Sequence, residues 1–191
     1  MNYPIGIQSF SKIRESRYLY IDKTKYIPLL LKCSQYVFLS RPRRFGKSLL
    51  VSMLESFFKG ERKLFDGLAI AGLMPEPWEC HPVIHLDFSG EDYNNPEVLE
   101  MKLSSFLDRF ESSLELQSAN KTLSERFRAI VRTLHQSTGS RVVVLIDEYD
   151  NPITSAIGNA ELQERFRSIL YGFYASLKSL DEHLHLSLIH I

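Results

Sequence analysis

The sequence predicts an α/β fold in which a mainly parallel sheet is covered by helices on both faces. Three observations carry that expectation. Segments of strand character alternate with segments of helical periodicity, the run Val142 to Ile146 is apolar throughout, and the strand candidates end in turn-forming residues. Alternation of this kind calls for parallel strands joined by crossover helices. A run apolar at consecutive positions suits a strand buried on both faces.

Taken in order, Tyr3 to Ile21 is a polar and aromatic lead-in, and Asp22 is placed to cap a helix over about Lys23 to Lys32. Tyr36-Val37-Phe38-Leu39 is a short β-prone run ending at a loop that carries Pro42 and Gly46. Leu49, Leu50, Met53, Leu54 and Phe57 then recur at helical spacing until Gly60. A second strand is expected over Val83 to Phe88, between Pro82 and Gly90. Asn95-Pro96 supplies a cap and a first-turn proline for a helix to about Leu116. Thr122-Leu123-Ser124-Glu125 has the capping-box pattern and opens a helix to about His135, which Gly139 ends. After the apolar strand, a helix is expected over Ala160 to Leu180, and Leu184 to Ile191 is apolar enough for a last strand.

Composition narrows the function classes. With 44% apolar and 24% charged residues in 191, the chain reads as one soluble globular domain with a sizeable core. Lys plus Arg equals Asp plus Glu at 23 each, so no global field draws it onto nucleic acid or an anionic membrane. Its apolar runs fall far short of the roughly 20 residues that span a bilayer. The N-terminus carries no secretory pattern, and Cys33 and Cys80 make neither a metal-ligand spacing nor a disulfide framework. A cytoplasmic protein with two buried free thiols is the expectation. The six histidines show no paired spacing on a helix face, so no zinc site is expected. The aromatic residues at helical spacing, Phe57, Phe58, Phe106, Phe110, Phe127, Tyr171 and Phe173, read as core.

Two motifs carry chemistry. The first is Arg41-Pro42-Arg43-Arg44-Phe45-Gly46-Lys47-Ser48, lying between a strand and a helix. Its Gly-Lys-Ser half matches a phosphate-binding loop: the glycine lets backbone N–H groups approach phosphate, the lysine reaches the outer phosphates, and the serine hydroxyl ligates Mg²⁺. The helix N-terminus beyond it adds unpaired N–H groups and the positive end of the macrodipole. Arg41 stands where the pattern has its first glycine, and Pro42 removes one donor. A Gly-Lys-Ser tripeptide is also common at ordinary helix starts. Against that, Arg41, Arg43, Arg44 and Lys47 concentrate positive charge in an otherwise neutral protein, and bound phosphates would relieve it. The expected nucleotide-binding set is Arg43, Arg44, Phe45, Gly46, Lys47, Ser48 and Leu49.

The second motif is the apolar strand ending in Asp147-Glu148. A carboxylate at the C-terminal edge of a strand beside the loop holds Mg²⁺ as the counterpart of Ser48, a role expected for Asp147. Glu148 then suits a general base that polarises water for attack on the γ-phosphate, with Lys47 stabilising charge as the second catalytic residue. A strand that simply ends in surface acids is the plainer alternative. Asp87 reads first as a surface acid or cap and only second as a partner in the same crevice. Asp150 reads as the start of the Asn151-Pro152 turn.

With these residues on the page, the chain resembles the bacterial AAA-ATPase-like family. The resemblance rests on Gly6-Ile7-Gln8-Ser9-Phe10, Tyr20-Ile21-Asp22-Lys23-Thr24, the loop Arg41 to Ser48, His85-Leu86-Asp87-Phe88-Ser89 and Ile146-Asp147-Glu148-Tyr149-Asp150. It implies a P-loop NTPase fold, ATP and Mg²⁺ as cofactors, and an Arg41 that is a family variant. It also implies, in the full-length protein, a C-terminal domain similar to PD-(D/E)XK nucleases, preceded by a strand with a polar sensor residue. On that comparison the chain divides into a lead-in over 1–35, a core over 36–185, and 186–191 as an atypical, artefactual tail where the sensor strand is expected, so that the domain is incomplete at its C-terminus.

The resulting expectation is Mg²⁺-dependent ATP hydrolysis. The alternative is a non-catalytic switch in which ATP binding organises an attached effector. A GTPase is disfavoured because Asn120-Lys121 is followed by Thr122-Leu123, without the acid that reads guanine. A small-molecule kinase is disfavoured by the acidic pair, which suits water activation. Homo-oligomerisation is kept as a partner expectation, with no membrane contact and no direct nucleic-acid binding by this segment.

Overall fold

A computed structural model describes residues 2–40, 45–74, 77–117 and 121–190, the side chain of His190 excepted. Four strands form one sheet: β1 (Tyr36–Leu39), β2 (Val83–Asp87), β3 (Val142–Asp147) and β4 (Leu184–His190). All three pairings are parallel, and the spatial order is β1-β4-β3-β2. Residues 186–190, set apart in sequence as a tail, lie inside β4, an interior strand of the sheet.

The helices α1 (Phe10–Glu15), α2 (Ile27–Cys33), α3 (Lys47–Phe58) and α4 (Ile70–Leu73) cover one face. Their apolar residues, among them Phe10, Ile27, Leu54, Phe58 and Ile70, pack with Val143 and Leu145 of β3 and with Leu186 and Leu188 of β4. The opposite face carries α5 (Pro96–Leu114), α6 (Leu123–Thr138) and α8 (Ala160–Lys178), with the short α7 (Asn151–Ser155) at the strand ends. Leu99, Phe127, Phe166 and Phe173 pack there on Val142, Val144 and Ile146. Every residue of β3 is buried, as its unbroken apolar run requires of a strand covered on both sides.

The helix starts follow their local chemistry. Asn95 Oδ1 accepts the Val98 N–H at 3.0 Å at the head of α5. Thr122 and Glu125 form the reciprocal capping box of α6, so each satisfies a backbone donor that the helix itself leaves orphaned. Two expectations are corrected. Cys33 and Cys80 are free but exposed, because Cys33 ends α2 and Cys80 lies in the loop that precedes β2. Tyr171 is 78% exposed, since it falls on the outer face of α8 while Phe173 turns inward.

The stretch at Asp22 has a different role from a simple helix cap. A 3-10 turn, Thr24–Tyr26, precedes α2, and Asp22 Oδ1 accepts both the Thr24 N–H (2.8 Å) and the Thr24 hydroxyl (2.7 Å). Its other oxygen reaches across to the Ala69 N–H at 2.7 Å, and the buried Thr24 Oγ1 accepts the Ile70 N–H at 3.1 Å. Asp22 and Thr24 therefore tie the lead-in to the start of α4. Desolvation tends to raise the Asp22 pKa, but the hydrogen bonds from Ala69 and Thr24, with the charge of Arg14, outweigh it and hold the carboxyl below its ordinary value. A depressed folded-state pKa contributes stability that is complete above the unfolded carboxylate range and is lost as pH falls through the lower folded value. Asp22→Ala is expected to cost about 1–2 kcal/mol, the usual loss for a cap and its stranded donors. The check is a urea midpoint shifted down at unchanged slope at neutral pH, with the gap from wild type closing in acid.

Candidate functional site

The loop between β1 and α3 delivers the phosphate-binding candidates to a helix N-terminus. Gly46 is the N-cap of α3 at φ 71°, ψ 30°, a left-handed conformation that glycine adopts without a Cβ clash. Among the described residues no atom lies within 4 Å of where its Cβ would stand, so its backbone conformation is what calls for glycine here. Gly46 has no side chain with which to cap the first-turn N–H groups of α3, while its carbonyl accepts the Leu50 N–H at 3.0 Å. Lys47, Ser48 and Leu49 follow on the first turn, all half-buried, and Leu49 packs partly against the core under α3. Phe45 stands 60% exposed before them. Arg43 and Arg44, with Arg41, lie outside the described residues.

A polar contact fixes α3 against the sheet. Glu55 Oε2 accepts a hydrogen bond from His85 Nδ1 at 2.8 Å, and its other oxygen pairs with Lys59 Nζ at 2.6 Å. The His85 hydrogen bond, offset in part by desolvation and helped by Lys59, holds the Glu55 carboxyl down at about 2. Glu55 is thus a carboxylate near neutral pH, and it joins the helix behind the loop to β2.

At the same edge of the sheet, Asp147 ends β3 with only 4% of its surface exposed. Side chains alternate along a strand, so Asp147 shares the face of Val143 and Leu145, which is the face α3 covers. Glu148 follows at φ 50°, one of the few non-glycine residues in left-handed geometry. That conformation costs a residue with a Cβ roughly 1–2 kcal/mol and has to be imposed by its surroundings. Asn151 supplies part of the constraint. Its N–H donates to the Glu148 carbonyl at 3.0 Å and closes the turn, while Nδ2 donates to the Phe88 carbonyl at 2.9 Å. The same Phe88 carbonyl accepts the buried Tyr93 hydroxyl at 3.0 Å, and the Phe88 N–H donates to the Asp147 carbonyl at 3.1 Å. The ends of β2 and β3 are therefore cross-linked on either side of the acidic turn.

Asp87 is in register with Asp147 at the end of β2, yet it is exposed and both its oxygens serve Ser89, accepting the N–H and the hydroxyl at 2.8 Å each. It closes its own turn, in line with its first reading. Asp150 is the N-cap of α7 without a side-chain cap bond. The strand carrying Asp147 does not adjoin β1: β4 lies between them. The physical reason is the direction of the crossovers. α3 leads the chain from β1 to the far edge at β2 on one face, and β3 and β4 then step back toward β1 with their helices on the other. That direction reverses between β1 and β4, and in open parallel sheets such a reversal marks the strand-end edge at which ligands bind. Gly46 follows β1 and Asp147 ends β3 at that edge.

A parallel sheet whose first strand runs through Gly-Lys-Ser into a helix N-terminus, with a buried carboxylate ending another strand at the same edge, has the architecture of P-loop nucleoside-triphosphatase-like proteins. Within that class, the chain belongs to the AAA-ATPase-like family, described as "Predicted AAA-ATPase", whose family model matches residues 4–190. It is also 37% identical over 190 residues to an "Uncharacterized protein in vnfD 5'region" of Azotobacter chroococcum mcd 1. That match covers 97% of this chain but 36% of the relative, so the chain spans about a third of the relative's length. No solved structure matches it. Among the described residues, no helix is long and apolar enough to cross a membrane, and no group of three or more His, Cys, Asp or Glu gathers as a metal cluster.

Tyr149, Asn151 and Tyr93, which frame the acidic turn, are not legible as site residues in the sequence. Their signal is tertiary, a shared carbonyl and a ring contact. Only the position of Tyr149 and Asn151 next to the acidic pair points toward them.

Proposed function

We propose that this domain binds ATP with Mg²⁺ and hydrolyses it by water attack on the γ-phosphate. The observation that carries the reading is the pairing, at one sheet edge, of a helix N-terminus that opens on Gly46 and bears Lys47 and Ser48 with a buried carboxylate at Asp147. The donor set fits the ligand. First-turn amides and Lys47 suit phosphate oxygens, the Ser48 hydroxyl and the Asp147 carboxylate suit a hard divalent cation, and Arg43 and Arg44 add charge in the loop. Bound Mg²⁺ would neutralise charge developing on the phosphates. Phe45 and Leu49 bracket the Gly-Lys-Ser core, one exposed and one anchored in the apolar layer. Glu148, held in its turn, is assigned the role of general base.

ATP is favoured over GTP because Leu123 stands where the guanine-reading Asn-Lys-x-Asp pattern would place its acid after Asn120-Lys121. A second reading, an ATP-dependent switch, draws on the length of the relative, of which this chain spans 36% and which leaves room for an effector. A nuclease-like domain following this one, assembly into homo-oligomers, and the absence of direct nucleic-acid contact by this segment belong to the same proposal. Equilibrium titration with ATP and with GTP, each with and without Mg²⁺, tests it. ATP is expected to bind at least about tenfold tighter than GTP, a difference of about 1.4 kcal/mol, and Mg²⁺ is expected to tighten it further. Preference for GTP, or indifference to Mg²⁺, would remove the reading.

A further inference from the structure

Tyr149 follows Glu148 directly, and its half-buried ring sits between two others. It meets Phe38 of β1 edge-on, with centroids 5.9 Å apart and planes at 68°, and Tyr174 of α8 in the same manner at 6.1 Å and 80°. Phe38 is the penultimate residue of the strand that feeds the phosphate-binding loop, and it remains 57% exposed. The contact therefore buries little surface at Phe38 and is a weak device for holding the core together. It does join the end of β1 to the acidic turn across the intervening β4.

The peptide linking Glu148 to Tyr149 is planar, so fixing the Tyr149 ring restricts ψ of Glu148 together with φ of Tyr149. Glu148 already occupies a left-handed well it would leave if unconstrained. Asn151 holds one end of the turn through the Glu148 carbonyl, and the Phe38–Tyr149–Tyr174 stack holds the other. We propose that Tyr149 is a positioning residue for Glu148, its ring coupling the acidic turn to the strand that enters the phosphate-binding loop. This rests on the reading of Glu148 as the base. The ring, and not the hydroxyl, does the positioning, and Phe38 and Tyr149 act as one unit.

The test compares Tyr149→Ala, Tyr149→Phe, Phe38→Ala, the double alanine variant and Glu148→Gln in the full-length protein, measuring kcat, ATP Kd and melting temperature for each. Tyr149→Ala is expected to lower kcat roughly 10- to 100-fold, as small misplacements of a reacting group do, while ATP Kd stays within about threefold. Tyr149→Phe restores most of the turnover. Phe38→Ala, altering an exposed ring, leaves the fold intact and lowers kcat in the same direction. The double variant is no slower than Tyr149→Ala alone, because the two rings share one contact. Wild-type turnover in Tyr149→Ala, a loss of ATP affinity in step with kcat, or multiplicative effects in the double variant each overturn the proposal. Should Tyr149→Ala not fold, Phe38→Ala decides: a reduced kcat at unchanged Kd supports the link, and unchanged kcat overturns it. If Glu148→Gln hydrolyses ATP at the wild-type rate, the assignment of the base fails and the positioning role goes with it. If Glu148→Gln is slow and both ring variants are fast, only the positioning role falls.

Discussion

Lys47→Ala is expected to reduce ATP binding below detection at micromolar protein while leaving the domain folded. The side chain stands at the first position of α3, where on the proposed reading its ammonium would meet the outer phosphates along with the first-turn amides. Truncating one partner of a hydrogen-bonded charge pair costs on the order of 2–5 kcal/mol, a roughly 30- to 5000-fold loss of affinity. The fold should survive because the fully buried face of α3 begins at Val51 and alanine is at least as good a helix former as lysine. Lys47→Arg is expected to rescue only in part, since a planar fork on a longer side chain does not replace a compact point charge. Calorimetric titration with Mg–ATP, paired with a thermal melt, checks both halves of the claim. An ATP Kd within about threefold of wild type in a folded Lys47→Ala protein would leave Lys47 no part in phosphate binding.

That expectation was readable from local sequence because its elements are local: a strand, a glycine, a lysine and a helix start within a dozen residues. β3 was readable for a related reason, since burial on both faces suppresses polar residues along the whole run. The capping residues Asn95 and Thr122 likewise announce α5 and α6 by their own hydrogen bonds. What local pattern does not carry is the order of strands. Nothing in Val142 to Asp147 tells that β4 separates it from β1, because order depends on which face each crossover takes. The short helices α1, α4 and α7, of six, four and five residues, are too brief to show a period and take their form from packing. Asp22 has the look of a helix cap in sequence, but its second oxygen reaches Ala69, 47 residues away, a contact that only the fold brings about. The exposure of Cys33 and Tyr171 likewise depends on which side of a helix faces solvent, and that of Cys80 on the path of the loop before β2. The left-handed Glu148 is the sharpest case: a glutamate carries no local preference for that conformation, so its geometry is set by Asn151, Phe88 and the rings around Tyr149.

Glu148→Gln is expected to bind Mg–ATP within about threefold of wild type and to lower kcat by roughly 10²- to 10⁴-fold, the usual contribution of a general base. Glutamine has nearly the shape of glutamate and keeps the carbonyl that closes the turn to Asn151, so the substitution removes the proton acceptor and little else. Asp147 and Ser48 are untouched by it, which is why binding and turnover should separate. The same pair of measurements distinguishes hydrolysis from the switch reading. In a hydrolase, wild type turns over steadily and Glu148→Gln accumulates bound ATP; in a switch, wild type itself gives slow steady-state turnover whatever its burst, and Glu148→Gln changes little. Single-turnover and steady-state rates in the full-length protein provide both numbers. Equal turnover of wild type and Glu148→Gln would take Glu148 out of the chemistry, and the constraint on its backbone would then need a different explanation, such as a contact made only when nucleotide or an effector is bound.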